Sequence, residues 1–154
     1  MTEIPREEYE AKVGQEIGVS NWIDITQDRI NRFAECTGDD QFIHVDPERA
    51  RLTAFGSTIA HGFLTLSLLP QMLRDIPRLS GVAMNINYGL EHVRFVSPVL
   101  VGSRVRGRFS LAGFEQRGPR EVQTVTEVTV QIDGRDKPAM VATWLHRRHL
   151  SGDI

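Results

Sequence analysis

Residues Ser57 to Leu73 read STIAHGFLTLSLLPQML, and no Asp, Glu, Lys or Arg interrupts the run. Phe63, Leu64, Leu66, Leu68, Leu69, Met72 and Leu73 cover most of a helical circumference instead of one stripe. A helix that is apolar all round is buried, not laid on a surface. The segment therefore predicts a helix that other elements must wrap. Pro70 cannot supply the N–H that a helix interior needs, so the helix should kink or lose its regular part there.

Downstream of Gly81 the apolar spacing changes from the helical period to two. Val105, Phe109 and Leu111 alternate with Arg104, Arg106, Arg108 and Ser110, the pattern of a strand with one wet face. Val122, Thr124, Thr126, Val128, Val130 and Ile132 share one parity. Asp133-Gly134 is a turn signal, and Ala139, Val141, Thr143 and Leu145 follow, so residues 122–146 read as a hairpin. Gly118-Pro119 marks the turn before it. Further strands are expected near 83–88, 91–97 and 17–23. Upstream, Ile30, Phe33 and Ala34 define one helical face, with Thr26 as N-cap, Asp28 in the first turn and Gly38 as terminator, which gives a helix over roughly 26–36. A loop from Gly38 to Val45 follows. Asp46-Pro47 then opens a short helix to about Leu52. Helix on antiparallel sheet is an α+β arrangement.

Composition narrows the function. A chain of 154 residues suits one domain, and 40% hydrophobic residues suffice for a core. The net charge of -2 offers no basic field for nucleic acid. The single cysteine, Cys36, excludes an internal disulfide framework and cysteine-rich zinc modules. The charged start, Met-Thr-Glu-Ile-Pro-Arg-Glu-Glu, does not read as a secretory signal, and no uncharged stretch reaches membrane-spanning length. A cytoplasmic protein with no membrane partner is expected.

Two stretches carry chemistry. Thr37-Gly38-Asp39-Asp40-Gln41-Phe42-Ile43-His44 places carboxylates and an imidazole in one loop, and a bend can point Asp39 and His44 at one small volume. Such a pair exchanges protons with a water, although Gly-Asp-Asp is also an ordinary turn sequence. Ala60-His61-Gly62-Phe63 stands near the start of the apolar helix, where free N–H groups can stabilise an oxyanion and Gly62 permits close approach. His61 can equally be a capping or core histidine. Ser67 lies further along the same helix, where a serine ordinarily bonds its own helix backbone. No glycine-rich phosphate loop, Gly-x-Ser-x-Gly elbow or zinc-type histidine spacing is present.

Together these stretches resemble the MaoC-like dehydratase family, the (R)-specific enoyl-CoA hydratases. The family pattern Ser/Thr-Gly-Asp-x-Asn-Pro-Ile/Leu-His, followed by Ala/Val-His-Gly, is matched by residues 37–44 and 60–62, with Gln41-Phe42 replacing Asn-Pro. That departure, with Asn87-Tyr88-Gly89 and Val93-Arg94-Phe95-Val96-Ser97-Pro98-Val99, resembles the subgroup related to nodulation protein N. The resemblance covers residues 18–147. It implies a single hotdog domain over residues 1–154, with an antiparallel sheet wrapped around a long central helix, and a homodimer.

The implied activity is reversible hydration of a trans-2-enoyl-CoA to an (R)-3-hydroxyacyl-CoA. Asp39 and His44 are the implied catalytic pair, the Gly62 N–H the oxyanion donor and Ser67 a supporting residue. Gln41 takes the place of the family's asparagine. No metal or other cofactor is required. Phe42, Phe55 and Phe63 are candidates to line an acyl tunnel. Arg94, Arg104, Arg106 and Arg108 are candidates for the CoA phosphates. A hotdog acyl-CoA thioesterase and a non-catalytic acyl-CoA binder are the alternative readings.

Overall fold

The structure, a computed structural model, describes residues 2–152. From the N-terminus, β1 (Glu3–Ile4) and α1 (Arg6–Glu10) lead to β2 (Gln15–Val19) and β3 (Ile23–Asp24). Three helices follow: α2 (Gln27–Thr37), α3 (Phe42–Val45) and α4 (Pro47–Ala50). Next come α5 (Gly62–Ser67) and α6 (Leu69–Met72), which run into a 3₁₀ turn at Leu73–Asp75. The chain then continues as β4 (Arg78–Leu79), β5 (Val82–Phe95), β6 (Arg104–Gly118), β7 (Glu121–Ile132) and β8 (Met140–Leu150). The main sheet has the order β2-β6-β7-β8-β5, with β3 also on β6, and every pairing in it is antiparallel. β1 and β4 form a separate short parallel pair.

The apolar helix is the pivot of this hotdog-type packing. Leu64, Leu68, Leu69 and Met72 are buried against Val105, Phe109 and Leu111 of β6, Val128 and Val130 of β7, and Met140 and Trp144 of β8 in one core cluster. Each fully buried Leu or Met contributes about 1.5–3 kcal/mol, so this helix and the sheet hold each other.

The helical part is shorter than the apolar run. Ser57–His61 is extended because Ile59 bridges Leu100 and Ala60 N–H donates to Val99 O at 2.8 Å. Helix begins at Gly62 and is interrupted at Leu68, just before Pro70, whose missing N–H leaves an opening in the ladder. α2 starts and stops on the expected signals. The Thr26 hydroxyl accepts from Arg29 N–H at 3.2 Å, and Gly38 sits at φ 77°, the left-handed conformation that a glycine adopts without penalty.

Three expectations need correction. The predicted loop 38–45 contains a helical turn, α3. The strands expected at 83–88 and 91–97 are one strand, β5, because register shifts at Asn87/Gly89 and Glu91/Arg94, with His92 at φ 51°, absorb the bend without breaking the pairing to β8. In β8 the buried parity is Met140, Ala142, Trp144, His146 and Arg148, not the set from Ala139 to Leu145. Directly paired residues share a face. The register Val130↔Met140, Thr126↔Trp144 and Thr124↔His146 therefore sends the even residues inward with those of β7.

Candidate active site

The site is built where the end of α2, the turn α3 and the start of α5 converge. Gly38 turns the chain out of α2, and Asp39, Asp40 and Gln41 follow as exposed residues. α3 then carries His44 inward to a buried position. Gln27, the first residue of α2, holds this segment: its Nε2 donates to His44 O at 2.7 Å, and its Oε1 accepts from the Thr58 hydroxyl. Ile59 N–H donates to Ile43 O at 3.0 Å, which ties α3 to the extended approach to α5. Asp46 caps α4 by accepting from Arg49 N–H at 3.0 Å. The imidazole thus sits on a backbone fixed from both sides.

Hydrogen bonding sets the tautomers. His44 Nδ1 lies 2.7 Å from Ile59 O, a carbonyl that can only accept, so Nδ1 carries a proton and the lone pair of the neutral ring is on Nε2. His61 Nε2 lies 2.8 Å from the backbone carbonyl of Asp39, so there the proton is on Nε2. The two rings stack with centroids 3.8 Å apart, and the Phe33 ring lies tilted against His61 at 5.0 Å. Burial pushes the His61 pKa below its ordinary value. The Asp39 carbonyl opposes that, the neighbouring His44 adds to it, and the Asp39 charge opposes it weakly. A neutral His61 is therefore a prop that fixes the Asp39 backbone and the His44 ring plane.

One carboxylate oxygen of Asp39 and one ring nitrogen each of His44 and His61 lie within 4.8 Å of one another. That spacing also fits a metal triad. Imidazole lone pairs lie in the ring planes, however, and two rings stacked at an interplanar angle of 26° send theirs side by side and not to a common point. The donor set suits proton transfer better than coordination.

His44 and Gly62 line one cavity of about 210 Å³, together with Thr65, Phe95, Val99 and Ala139 among others. Gly62 is the first residue of α5, so its N–H has no acceptor within the helix. A Cβ at Gly62 would lie 2.8 Å from the Phe95 ring, so any side chain there requires the ring to move.

Other expected residues fall elsewhere. Ser67 is on the exposed side of α5, away from the cavity. At about 100° per residue, Ser67 is roughly 140° around the helix from Gly62, whereas Thr65 is about 60° away. Thr65, which is buried and lines the cavity, takes the position that Ser67 was expected to fill. Gln41 is the exposed residue preceding α3, and its side chain makes no capping bond there.

None of the three phenylalanines chosen for a tunnel lines this cavity. Phe42 is covered by the Arg49 guanidinium at 4.3 Å, while Phe55 and Phe63 are exposed. Phe95, brought in by β5, forms the wall instead. Of the four arginines, Arg104 pairs with Asp133, Arg108 pairs with Glu16, and Arg106 donates to Gln131 and lies over Trp22. Arg94 bonds the carbonyl of its neighbour Val93. His61 and Phe95 are the residues that sequence reading undervalued. The helix phase would have found Thr65, but nothing local marks Phe95.

Comparison with known proteins bears on this arrangement. The family described as MaoC like domain matches residues 8–132. The chain is 52% identical over 132 residues to 3-hydroxyacyl-thioester dehydratase Z of Mycobacterium tuberculosis, covering 86% of this chain and 87% of that protein. It is 49% identical over 147 residues to nodulation protein N of Rhizobium leguminosarum bv. viciae, covering 94% and 91%. Among solved structures, the R-hydratase PhaJ1 of Pseudomonas aeruginosa superposes with a TM-score of 0.69 at 23% identity, covering 90% and 83%, a likeness of fold.

Proposed function

Because the chain belongs to the MaoC like domain family, we propose that it is an (R)-specific enoyl-CoA hydratase, adding water reversibly to a trans-2-enoyl-CoA to give the (R)-3-hydroxyacyl-CoA. It is a hydro-lyase of the hydratase and dehydratase kind, in keeping with the dehydratase name of the 52%-identical relative. The observation that carries the reading is that His44 and Gly62 line one small cavity while a carboxylate oxygen of Asp39 lies within 4.8 Å of a ring nitrogen of His44.

Hydration of an enoyl thioester places oxygen on C3, a proton on C2 and transient negative charge on the thioester oxygen. The Gly62 N–H is the donor for that oxygen, and an aimed backbone donor of this kind is worth about 3–4 kcal/mol in related oxyanion sites. Asp39 and His44 hold the water. One takes its proton as oxygen bonds to C3, and the other delivers a proton to C2. Such a pair typically supplies about 10²–10⁴-fold. His61 contributes by position: its Nε2–H bond holds the Asp39 backbone, and its ring holds that of His44. The acyl-CoA thioester is the proposed partner, and no step needs a metal or redox cofactor.

The proposed assembly is a homodimer through β5. This strand is a sheet edge, and it exposes Met84, Ile86, Tyr88, Leu90 and Phe95 beside the exposed Phe63 of α5. A 14-residue edge strand with so much apolar surface is a pairing hazard unless covered. A second copy, paired along β5, would cover it.

The decisive experiment is hydration of crotonyl-CoA with chiral analysis of the product, run beside Asp39→Asn. Loss of the enoyl absorbance without release of free CoA, giving the (R) product and abolished in the variant, is the expected result. Thiol release from saturated acyl-CoA would indicate the thioesterase. An Asp39→Asn enzyme as fast as the parent would reject the assigned chemistry.

A further inference from the structure

We propose that the cavity at the far end of the central helix is a second binding site, which takes a small oxyanion, a carboxylate or phosphate group, on the buried guanidinium of Arg148. The cavity holds about 350 Å³ and is bounded among others by Tyr9, Leu73, Arg74, Arg78, Trp144 and Arg148. From Gly62 to Leu73 is about 16 Å along a helix axis. The buried side chains Leu64, Leu68, Leu69 and Met72 fill the intervening helix, so this space is distinct from the His44 cavity.

Arg148 is the reason to expect an anion. It lies on the core face of β8 and is only 6% exposed. One of its terminal nitrogens donates to the Tyr9 hydroxyl at 3.1 Å, and its buried Nε has no hydrogen-bond partner. Among the described residues no carboxylate pairs with it. Its neighbour Arg147, on the opposite face of the strand, does pair, with Glu121. A charge withdrawn from water is stable only when paired and hydrogen-bonded. The Nε edge of a guanidinium matches the two oxygens of a carboxylate or phosphate.

The surroundings agree. The Tyr9 oxygen accepts from Arg148, so its own proton remains to be donated to the same ligand. Arg78, half-buried, and Arg74, exposed, also border the cavity without ion pairs among the described residues, against the single lining carboxylate Glu3. His146, the next inward residue on β8, adds no charge: burial, with Arg148 next, pushes its pKa down to about 3. The local field is therefore positive at neutral pH.

The anion can be a free small molecule or the terminal group of an acyl chain, and the experiment separates these. Trp144 borders the cavity, whereas Trp22 lies against Arg104 and Arg106. A Trp22→Phe protein thus reports on the cavity through Trp144 alone. Titration with inorganic phosphate and with glutarate is expected to give a saturable fluorescence change. Arg148→Met should weaken it about 10- to 100-fold, the worth of charge-assisted hydrogen bonds, and Tyr9→Phe by less. If Arg148→Met does not fold, Tyr9→Phe and the double variant Arg74→Gln/Arg78→Gln carry the same comparison.

In the second arm, KM is compared for enoyl-CoA substrates whose chains of equal length end in carboxylate or methyl. A preference for carboxylate that vanishes in Arg148→Met assigns the anion to the substrate. Equal KM values with retained phosphate or glutarate binding assign it to a free ligand. Absence of saturation by either free anion, together with a KM ratio indifferent to Arg148, overturns the proposal. The fluorescence arm needs no turnover, so it stands or falls apart from the hydratase reading.

Discussion

The tightest contact in the site makes the sharpest prediction. In Gly62→Ala the new Cβ would lie 2.8 Å from Cγ of Phe95, where carbon atoms prefer about 3.5–4.0 Å. The ring must therefore retreat by about 1 Å. Phe95 is 47% exposed and so has room to swing. The usual overpacking cost of about 1–3 kcal/mol is reduced further because alanine gains about 0.5–1 kcal/mol over glycine in a helix. Net stability should change by about 1 kcal/mol, a Tm shift of a few degrees for a domain of this size. The same displacement moves a cavity wall beside the proposed oxyanion donor, where about 1 Å can cost 10²-fold in rate. The assay is crotonyl-CoA hydration followed by enoyl absorbance, with thermal melts on the same samples. The double variant Gly62→Ala/Phe95→Ala removes the clash and should recover at least about tenfold over the single variant relative to Phe95→Ala alone. A single variant with parental kcat/KM would refute the placement of Gly62, and a loss that Phe95→Ala leaves untouched would refute the steric cause.

The remaining predictions concern the proton-transfer pair, the helix phase, the buried histidine and the sheet edge. Asp39→Asn and His44→Ala should each lower kcat by about 10²–10⁴-fold with circular dichroism unchanged. Ser67→Ala should stay within about twofold of the parent, since Ser67 faces away from the cavity, while Thr65→Val should alter KM or kcat measurably in the same assay. His146 has a folded pKa of about 3 against an unfolded value near 6.5, so the unfolded chain binds the extra proton between those limits. Its contribution to stability is complete above pH 6.5 and is lost as pH falls toward 3, at up to about 1.4 kcal/mol per pH unit. Urea unfolding from pH 7 to pH 4 should show this slope, and His146→Leu should flatten it. Finally, the 17.4 kDa chain should run at twice that mass in sedimentation equilibrium, and Ile86→Lys with Tyr88→Lys should shift it toward monomer. A monomeric parent protein would remove the β5 pairing.

Much was legible without coordinates because the signals are local. An uncharged apolar run with Pro70 inside it specifies an interrupted helix packed into the core, although one side of it, with Phe63 and Ser67, stays exposed. Thr26, Gly38 and Asp46-Pro47 mark ends because capping is satisfied within a few residues. The alternation of Val105, Phe109 and Leu111 with arginines follows from strand geometry alone. The family pattern, two short stretches in fixed order, directed attention to Asp39, His44 and Gly62 before their mutual placement was known.

What remained hidden depends on contacts between residues far apart in the chain. Which parity of β8 faces the helix was decided by its register on β7, and a slip of one residue would have put Trp144, His146 and Arg148 in water. Phe95 became the wall opposite Gly62 only because β5 returns past the start of α5, a separation of 33 positions that no spacing rule encodes. His61 looked like a cap or a core histidine and is a stacked prop, since its ring partner comes from α3 and its acceptor from the turn before it. Local propensity and periodicity are properties of neighbouring residues, and sequence determines them directly. Register, cavity shape and the company a buried charge keeps are set by how distant segments pack, and only the tertiary structure decides them.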